Sequence, residues 1–231
     1  MLTIVLVGAD GAGKSTVTDR LLAEVDVPAR RMYLGANPEA RTHPLPTTRA
    51  VRWARSRSGG PGRAGGPPSL DRDAPAQGGV RSATRAAARV GNQMAEEAYQ
   101  QAVIGWHHAR GRLVVCDRHP LADQFDHDLA ARPGLRRSRR VHGAFLRRAM
   151  APPDLVIVLD AEPEVLFARK GEGTLSELAA RRDEYLRYAR SVPRSVVVDA
   201  AQPLDDVAAD VLAAVHGALG SERRDHVGAV R

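Results

Sequence analysis

The chain has 231 residues, a formal net charge of +7 and 43% hydrophobic residues. That is enough apolar material for a buried core, which excludes a wholly disordered chain. No apolar run approaches the ~20 residues that span a bilayer, and the single cysteine, Cys116, excludes an internal disulfide or a cysteine zinc cluster. The expectation is a soluble, cytoplasmic globular protein. The basic residues are arginines apart from Lys14 and Lys170. An arginine-rich, lysine-poor chain fits a coding bias, although a site that holds several phosphates also uses arginine.

In chain order the elements alternate. Leu2–Val7 reads as a buried strand and Lys14–Val25 as a helix with Val17, Leu21 and Leu22 on one face. Arg30–Leu34 is a second strand. Ser56–Gly79 is dense in glycine and proline and reads as a mobile insertion. Arg85–Arg110 reads as a long helix whose seam, Val90, Met94, Ala98, Ala102 and Trp106, is expected to face the core. Leu113–Cys116 is a third strand, ending at Asp117-Arg118. Val141–Met150 reads as a helix stopped by Pro152-Pro153. Leu155–Leu159 is a fourth strand, apolar throughout, as a strand covered on both faces should be. Helices follow over Pro163–Arg169 and Leu175–Arg190. A fifth strand, Ser195–Val198, and a last helix, Val207–Leu219, complete the set, with Ser221–Arg231 a frayed tail. Strands separated by helices imply parallel pairing. The expected organisation is one domain over residues 1–220.

The strongest motif is Gly8-Ala9-Asp10-Gly11-Ala12-Gly13-Lys14-Ser15-Thr16, which fits G-x-x-x-x-G-K-[ST] between a strand and a helix. Glycines let the backbone form a nest of N–H groups, and the following helix adds partial positive charge there. Lys14 is placed to reach β/γ-phosphates and Ser15 to hold Mg²⁺. The motif implies an α/β, P-loop NTPase fold: three layers, α/β/α, with a five-stranded parallel sheet. It names a nucleoside triphosphate and leaves the reaction open. A guanine-reading Asn-Lys-x-Asp is absent, and the third strand ends in Asp-Arg instead of the Asp-Glu of many motor and transport ATPases.

Three stretches resemble the thymidylate kinase-like nucleoside and nucleotide kinases. They are the loop with Asp10 at its third position, Gly111-Arg112-Leu113-Val114-Val115-Cys116-Asp117-Arg118-His119, and Pro153–Asp160 leading to Pro163 and Arg169. Val198-Asp199-Ala200 also fits. The resemblance implies an ATP- and Mg²⁺-dependent kinase that phosphorylates a small acceptor, and a homodimer through long helices. It implies a helical lid at Arg169-Lys170-Gly171-Glu172-Gly173, with Arg169 and Lys170 toward the phosphates or adenine.

The residues alone assign Asp117 either to Mg²⁺ through water or to accepting a hydroxyl proton, or else to a helix N-cap. Arg118 would clamp phosphate oxygens or form a surface ion pair. Asp10 lies where an acceptor hydroxyl or a metal water could approach. Arg181 and Arg182 are read as a solvated face paired with Glu177 and Glu184, and Arg136–Arg140 as a basic surface loop. With only 4% aromatic residues and no recognition motif, nucleic acid is not an expected partner.

The acceptor side departs from the family. Its Arg-Glu-Pro-type segment is replaced by Arg30-Arg31-Met32-Tyr33-Leu34-Gly35. Where a family arginine should read the acceptor, the chain has Ala95-Glu96. Arg30, Arg31 and Glu96 are therefore the candidate acceptor residues. They leave three readings open: a nucleoside monophosphate kinase, a kinase of an unusual nucleoside or sugar, and an ATP-binding regulatory protein without transfer.

Overall fold

The computed structural model describes residues 1–34, 45, 53, 80–129 and 137–228. The predicted insertion at 56–79 lies outside them, as do Arg136 and 229–231. Five strands form one parallel sheet: β1 (Thr3–Val7), β2 (Ala29–Tyr33), β3 (Leu113–Asp117), β4 (Leu155–Asp160) and β5 (Ser195–Asp199), in the order β2-β3-β1-β4-β5. The helices are α1 (Lys14–Glu24), α2 (Val80–His108), α3 (Pro120–Asp123), α4 (Arg137–Ala149), α5 (Pro163–Lys170), α6 (Leu175–Ser191) and α7 (Leu204–Gly228). A π-helical turn covers Phe125–Leu129.

The central strands β1, β3 and β4 are buried nearly end to end, since helices cover both of their faces. Alternation divides the core in two. Ile4, Leu6, Leu113, Val115 and Ile157 pack with Val17 and Leu21 of α1 and Val211 and Val215 of α7. Val5, Val7, Val114, Cys116 and Val158 pack with Ile104 of α2 and Tyr185 and Tyr188 of α6. The edge strand β5 is less covered than expected, with Val197 exposed.

This topology fixes where a ligand can lie. β1 and β3 are neighbours, Leu6 standing opposite Asp117. The chain leaves β1 toward α1 on one face and leaves β3 toward α3 and α6 on the other. Two loops that part in this way leave a crevice at the carboxyl edge of the sheet.

Three expectations need correction. The seam of α2 is turned the other way: Ala98, Ala102 and Trp106 are exposed, whereas Glu96, Glu97, Gln100, Ile104 and His107 are buried. Both sets recur at helical spacing, so periodicity alone does not choose between them. The run Arg137–Arg140 is the first turn of α4, not a loop. The tail is helical from Ser221 to Gly228, because α7 continues past Leu219. Its Glu222 pairs with the amino terminus of Met1, and Ser221 accepts from Arg194.

Candidate active site

The Gly8–Gly13 turn is shaped by close backbone approach. A Cβ on Gly8 would lie 2.6 Å from the Leu159 carbonyl oxygen, and one on Gly11 would lie 2.4 Å from that of Leu166. Gly11 and Gly13 have φ of 93° and 82°, the left-handed region that favours glycine. Gly13 then caps α1, which starts at Lys14.

Lys14 is almost wholly buried, and its ammonium folds back over the turn. Nζ donates to the carbonyl oxygens of Gly8 (2.8 Å) and Ala9 (2.9 Å), with Asp10 Oδ1 at 3.8 Å. Burial pushes the Lys14 pKa down to about 8, with Arg118 adding to the drop and Asp10 opposing it. Ser15 and Thr16 are exposed at the mouth of the turn, and Ala12 is packed beneath it.

Asp117, at the end of β3, comes directly to this turn. Its Oδ2 is 3.5 Å from Ser15 Oγ and accepts from Arg31 Nη2 at 2.8 Å. The other arm of Arg31 reaches Asp19 of α1. The helix-cap alternative for Asp117 is excluded, because His119 caps α3, its side chain accepting from the Leu121 N–H. Burial pushes the His119 pKa down to about 4, so a neutral ring makes that cap.

Arg118 occupies φ 67°, the single non-glycine residue with positive φ among those described. Such a conformation costs ~1–2 kcal/mol and is held by its surroundings. Its guanidinium is not a surface group. Nη2 donates to Asp10 Oδ1 at 2.8 Å, and Nη1 reaches the Tyr185 hydroxyl at 3.3 Å with Asp123 Oδ1 at 3.9 Å. Tyr185, fully buried on α6, donates to Asp123 Oδ1 at 2.9 Å. Burial alone would raise the Asp10 pKa, but Arg118, then Lys14 and Lys170, outweigh it and hold the carboxyl low.

On the α5–α6 connection Arg169 is tied up away from the turn, whereas Lys170 acts on Asp10 through its charge while pairing nearby. Arg169 donates to the carbonyl oxygens of Ala200 (2.6 Å) and Ala201 (3.3 Å), and Lys170 pairs with Glu172. Gly171 takes the left-handed cap of α5, and Thr174 with Glu177 forms a capping box on α6. Arg182 binds Asp160 through two nitrogens, at 2.7 and 3.0 Å, and also Glu162, fastening α6 to the end of β4. Arg181 pairs with Glu184 as expected, yet its guanidinium also lies over the Tyr185 ring, 5.9 Å from the centroid. Glu177 takes part in neither pair.

Of the acceptor candidates, Arg31 enters the site and Arg30 does not. Strand alternation turns Arg30 to the opposite face, where it is exposed. Glu96 is buried on the inner stripe of α2 and accepts from the Leu45 N–H at 3.0 Å. Beside it Glu97 pairs with His142 of α4 at 2.8 Å and accepts from Gln93. Sequence reasoning missed Glu97, Gln100, Asp123, Arg181 and Tyr185. A visible signal existed for two of them: Gln93, Glu97, Gln100, Ile104 and His107 recur at alternating steps of four and three.

The crevice thus gathers Lys14, Ser15, Asp10, Asp117 and Arg118 from two loops far apart in sequence. No protein-family model matches this chain. Among the described residues no helix is long and apolar enough to cross a membrane, and no group of three or more His, Cys, Asp or Glu side chains could hold a metal ion.

Proposed function

We propose that this protein is an ATP-dependent phosphotransferase of the thymidylate kinase-like kind, moving the γ-phosphoryl group of ATP to a small acceptor. The observation that carries the reading is the convergence of Lys14 and Ser15 on Asp117 and Arg118 at the β1/β3 crevice. Phosphoryl transfer needs position and positive charge more than covalent help. Backbone N–H groups of the Gly8–Gly13 turn and the α1 N-terminus would receive the phosphates. Lys14 would leave its two carbonyls for the phosphate oxygens. Arg118 would exchange Asp10 for the transferred group.

Mg²⁺ fits the donor set. It needs only one or two protein oxygens beside phosphates and waters, and Ser15 Oγ and Asp117 supply hard oxygens 3.5 Å apart. Bound there, the ion would offset phosphate charge. Arg31 keeps the Asp117 carboxylate oriented toward Ser15. Arg169 and Lys170, on a connection with left-handed glycines at 171 and 173, belong to the lid of this reading.

The test is turnover. Lys14→Ala and Asp117→Asn should each lower ADP formation at least ~100-fold, the order of effect seen when one preorganised charge is lost. Circular dichroism should stay native. Unchanged turnover in both variants refutes the assignment. MgATP binding without transfer to any acceptor would leave a nucleotide-binding regulator.

A further inference from the structure

Arg118 follows β3 in a left-handed conformation, and part of what holds its side chain lies on α6. Its backbone N–H donates to the Leu6 carbonyl oxygen at 3.3 Å, and its side chain is 17% exposed. One arm of the guanidinium, Nη2, reaches Asp10 in the phosphate turn, and the other, Nη1, reaches the hydroxyl of Tyr185. Tyr185 is fully buried in the apolar core with Val7, Cys116 and Val158. α6 is fixed on both sides of it. One turn earlier Arg182 grips Asp160 at the end of β4. One turn later the Tyr188 ring meets the Phe125 ring edge to face, with centroids 5.5 Å apart.

The hydroxyl stands between a cation and a carboxylate. Its oxygen accepts from Arg118 Nη1 at 3.3 Å and its proton goes to Asp123 Oδ1 at 2.9 Å, while the direct separation of Arg118 and Asp123 is 3.9 Å. Burial, reinforced by Asp123, keeps the Tyr185 pKa well above its ordinary value, so the hydroxyl always has its proton to give. A group that both gives and takes can satisfy the two charges at once and hold them apart. Phenylalanine at this position would fill the same apolar space and leave the Asp123 carboxylate without that donor. Arg118 and Asp123 would then close on one another, because opposite charges attract more strongly in a largely buried site than in water. That movement draws the guanidinium away from Asp10 and the turn.

Resting on the phosphotransferase reading above, we propose that Tyr185 is a positioning residue for phosphoryl transfer. Its hydroxyl, backed by Asp123, holds the Nη1 arm of Arg118 against α6, so that the Nη2 arm stays at the phosphate turn and meets the group in transit. Tyr185 touches no substrate and moves no proton; it acts through Arg118. The helix that carries it follows the Arg169–Gly173 connection, so the guanidinium is set by an element other than the two loops that form the crevice. Preorganisation of this kind strengthens binding of the transition state more than binding of the nucleotide.

The experiment needs no acceptor. The full chain is titrated with MgADP alone and with MgADP in excess aluminium fluoride, which stands in for the phosphoryl group in transit, and both affinities are read by calorimetry. Aluminium fluoride should tighten MgADP binding in the unaltered protein. Tyr185→Phe should lose ~10-fold of that tightening, as expected for one hydrogen bond to a charged group, with the affinity for MgADP alone within about twofold. In an Arg118→Ala background Tyr185→Phe should cost nothing further, since the two residues act as one unit. Adding Asp123→Asn to Tyr185→Phe removes the pull on Arg118 and should restore most of the lost tightening, which a merely structural hydroxyl would not allow. The inference is overturned by unchanged tightening in Tyr185→Phe, by a loss of the same size without Arg118, or by no restoration with Asp123→Asn. MgADP alone weakened as much as the aluminium fluoride complex also overturns it, as does aluminium fluoride that fails to tighten MgADP in the unaltered protein. Failure of the unaltered protein to bind MgADP strikes the underlying reading instead.

Discussion

If Lys14 is the phosphate-contacting lysine, nucleotide binding must take up protons in a defined pH window. In the free protein its ammonium is buried against two carbonyl oxygens, and its pKa lies at about 8. At pH 8 it is therefore about half protonated. Phosphate oxygens would replace the carbonyls with charge-assisted hydrogen bonds, worth ~1.5–3 kcal/mol each. At 1.36 kcal/mol per pKa unit, one such bond raises the bound pKa by ~1–2 units, to ~9–10. The expected uptake is ~0.4–0.5 proton at pH 8, ~0.1 at pH 7 and ~0.4–0.8 at pH 9. Affinity should fall with pH by the same slope.

Isothermal titration of Mg²⁺-saturated nucleotide, in buffers of different ionisation enthalpy, reads the uptake directly. Working at pH 8 keeps the nucleotide phosphates fully ionised, so they contribute no protons. Lys14→Arg preserves the charge without a titration near 8, and its uptake should drop to nearly zero. An uptake near zero in the unaltered protein at pH 8, or an unchanged uptake in Lys14→Arg, refutes the reasoning. The unliganded protein gives a counterpart. Because the folded pKa lies below the unfolded value of 10.5, the unfolded chain holds more protons between about 8 and 10.5. Stability should rise with pH across that window.

Two further predictions concern stability. Gly11→Ala and Gly13→Ala share a positive φ, which costs ~1–2 kcal/mol for alanine. Only Gly11 adds a Cβ 2.4 Å from a backbone oxygen, Gly13 having nothing within 4 Å. Urea unfolding should therefore show Gly11→Ala the worse by at least ~1 kcal/mol, in the range of overpacking costs, and equal losses would contradict the close approach to Leu166. Burial pushes the Glu184 pKa up from 4.5 to about 7, Arg181 opposing. The folded state then holds a proton that the unfolded chain has lost, so this group subtracts stability as pH rises from 4.5 through 7, by up to ~3 kcal/mol. Glu184→Gln should be at least as stable as the unaltered protein at pH 8 and lose that advantage at pH 5. A variant less stable at pH 8 than at pH 5, relative to the unaltered protein, would show that the Arg181 pair outweighs burial.

The sheet was legible because its strands are short apolar runs with helices on both sides, so the pattern of burial and the pattern of sequence coincide. Thr3–Val7 and Leu155–Asp160 leave no alternative. The loop residues were legible for a different reason: glycine at positions 8, 11 and 13 answers steric demands that no other residue meets. What could not be read was pairing across the chain. Nothing local in Tyr185 announces that its hydroxyl joins Asp123 and Arg118, 62 and 67 positions away. Arg30 and Arg31 look equivalent in sequence, and only the strand's alternation against α1 sends one to Asp117 and the other to solvent.

The long helix shows why hydrophobic periodicity failed at this place. A seam of Val90, Met94, Ala98, Ala102 and Trp106 competes with a stripe of Gln93, Glu97, Gln100, Ile104 and His107. Transfer energies favour burying the first. The structure buries the second from Glu97 onward, leaving Trp106 half exposed under the guanidinium of Arg110 at 3.7 Å. Only Ile104 of the inner stripe belongs to the sheet's apolar core, and it lies within the height of the strands. The polar members Glu97 and Gln100 begin where the strands end. A helix that overhangs a sheet in this way has no apolar surface to face along its upper turns. Its inward side there is free to be polar if polar partners meet it, and His142 does so for Glu97. Burying polar groups along these turns costs stability that a purely structural helix would avoid. Local rules broken at the carboxyl edge of a parallel sheet are therefore an argument for a ligand there.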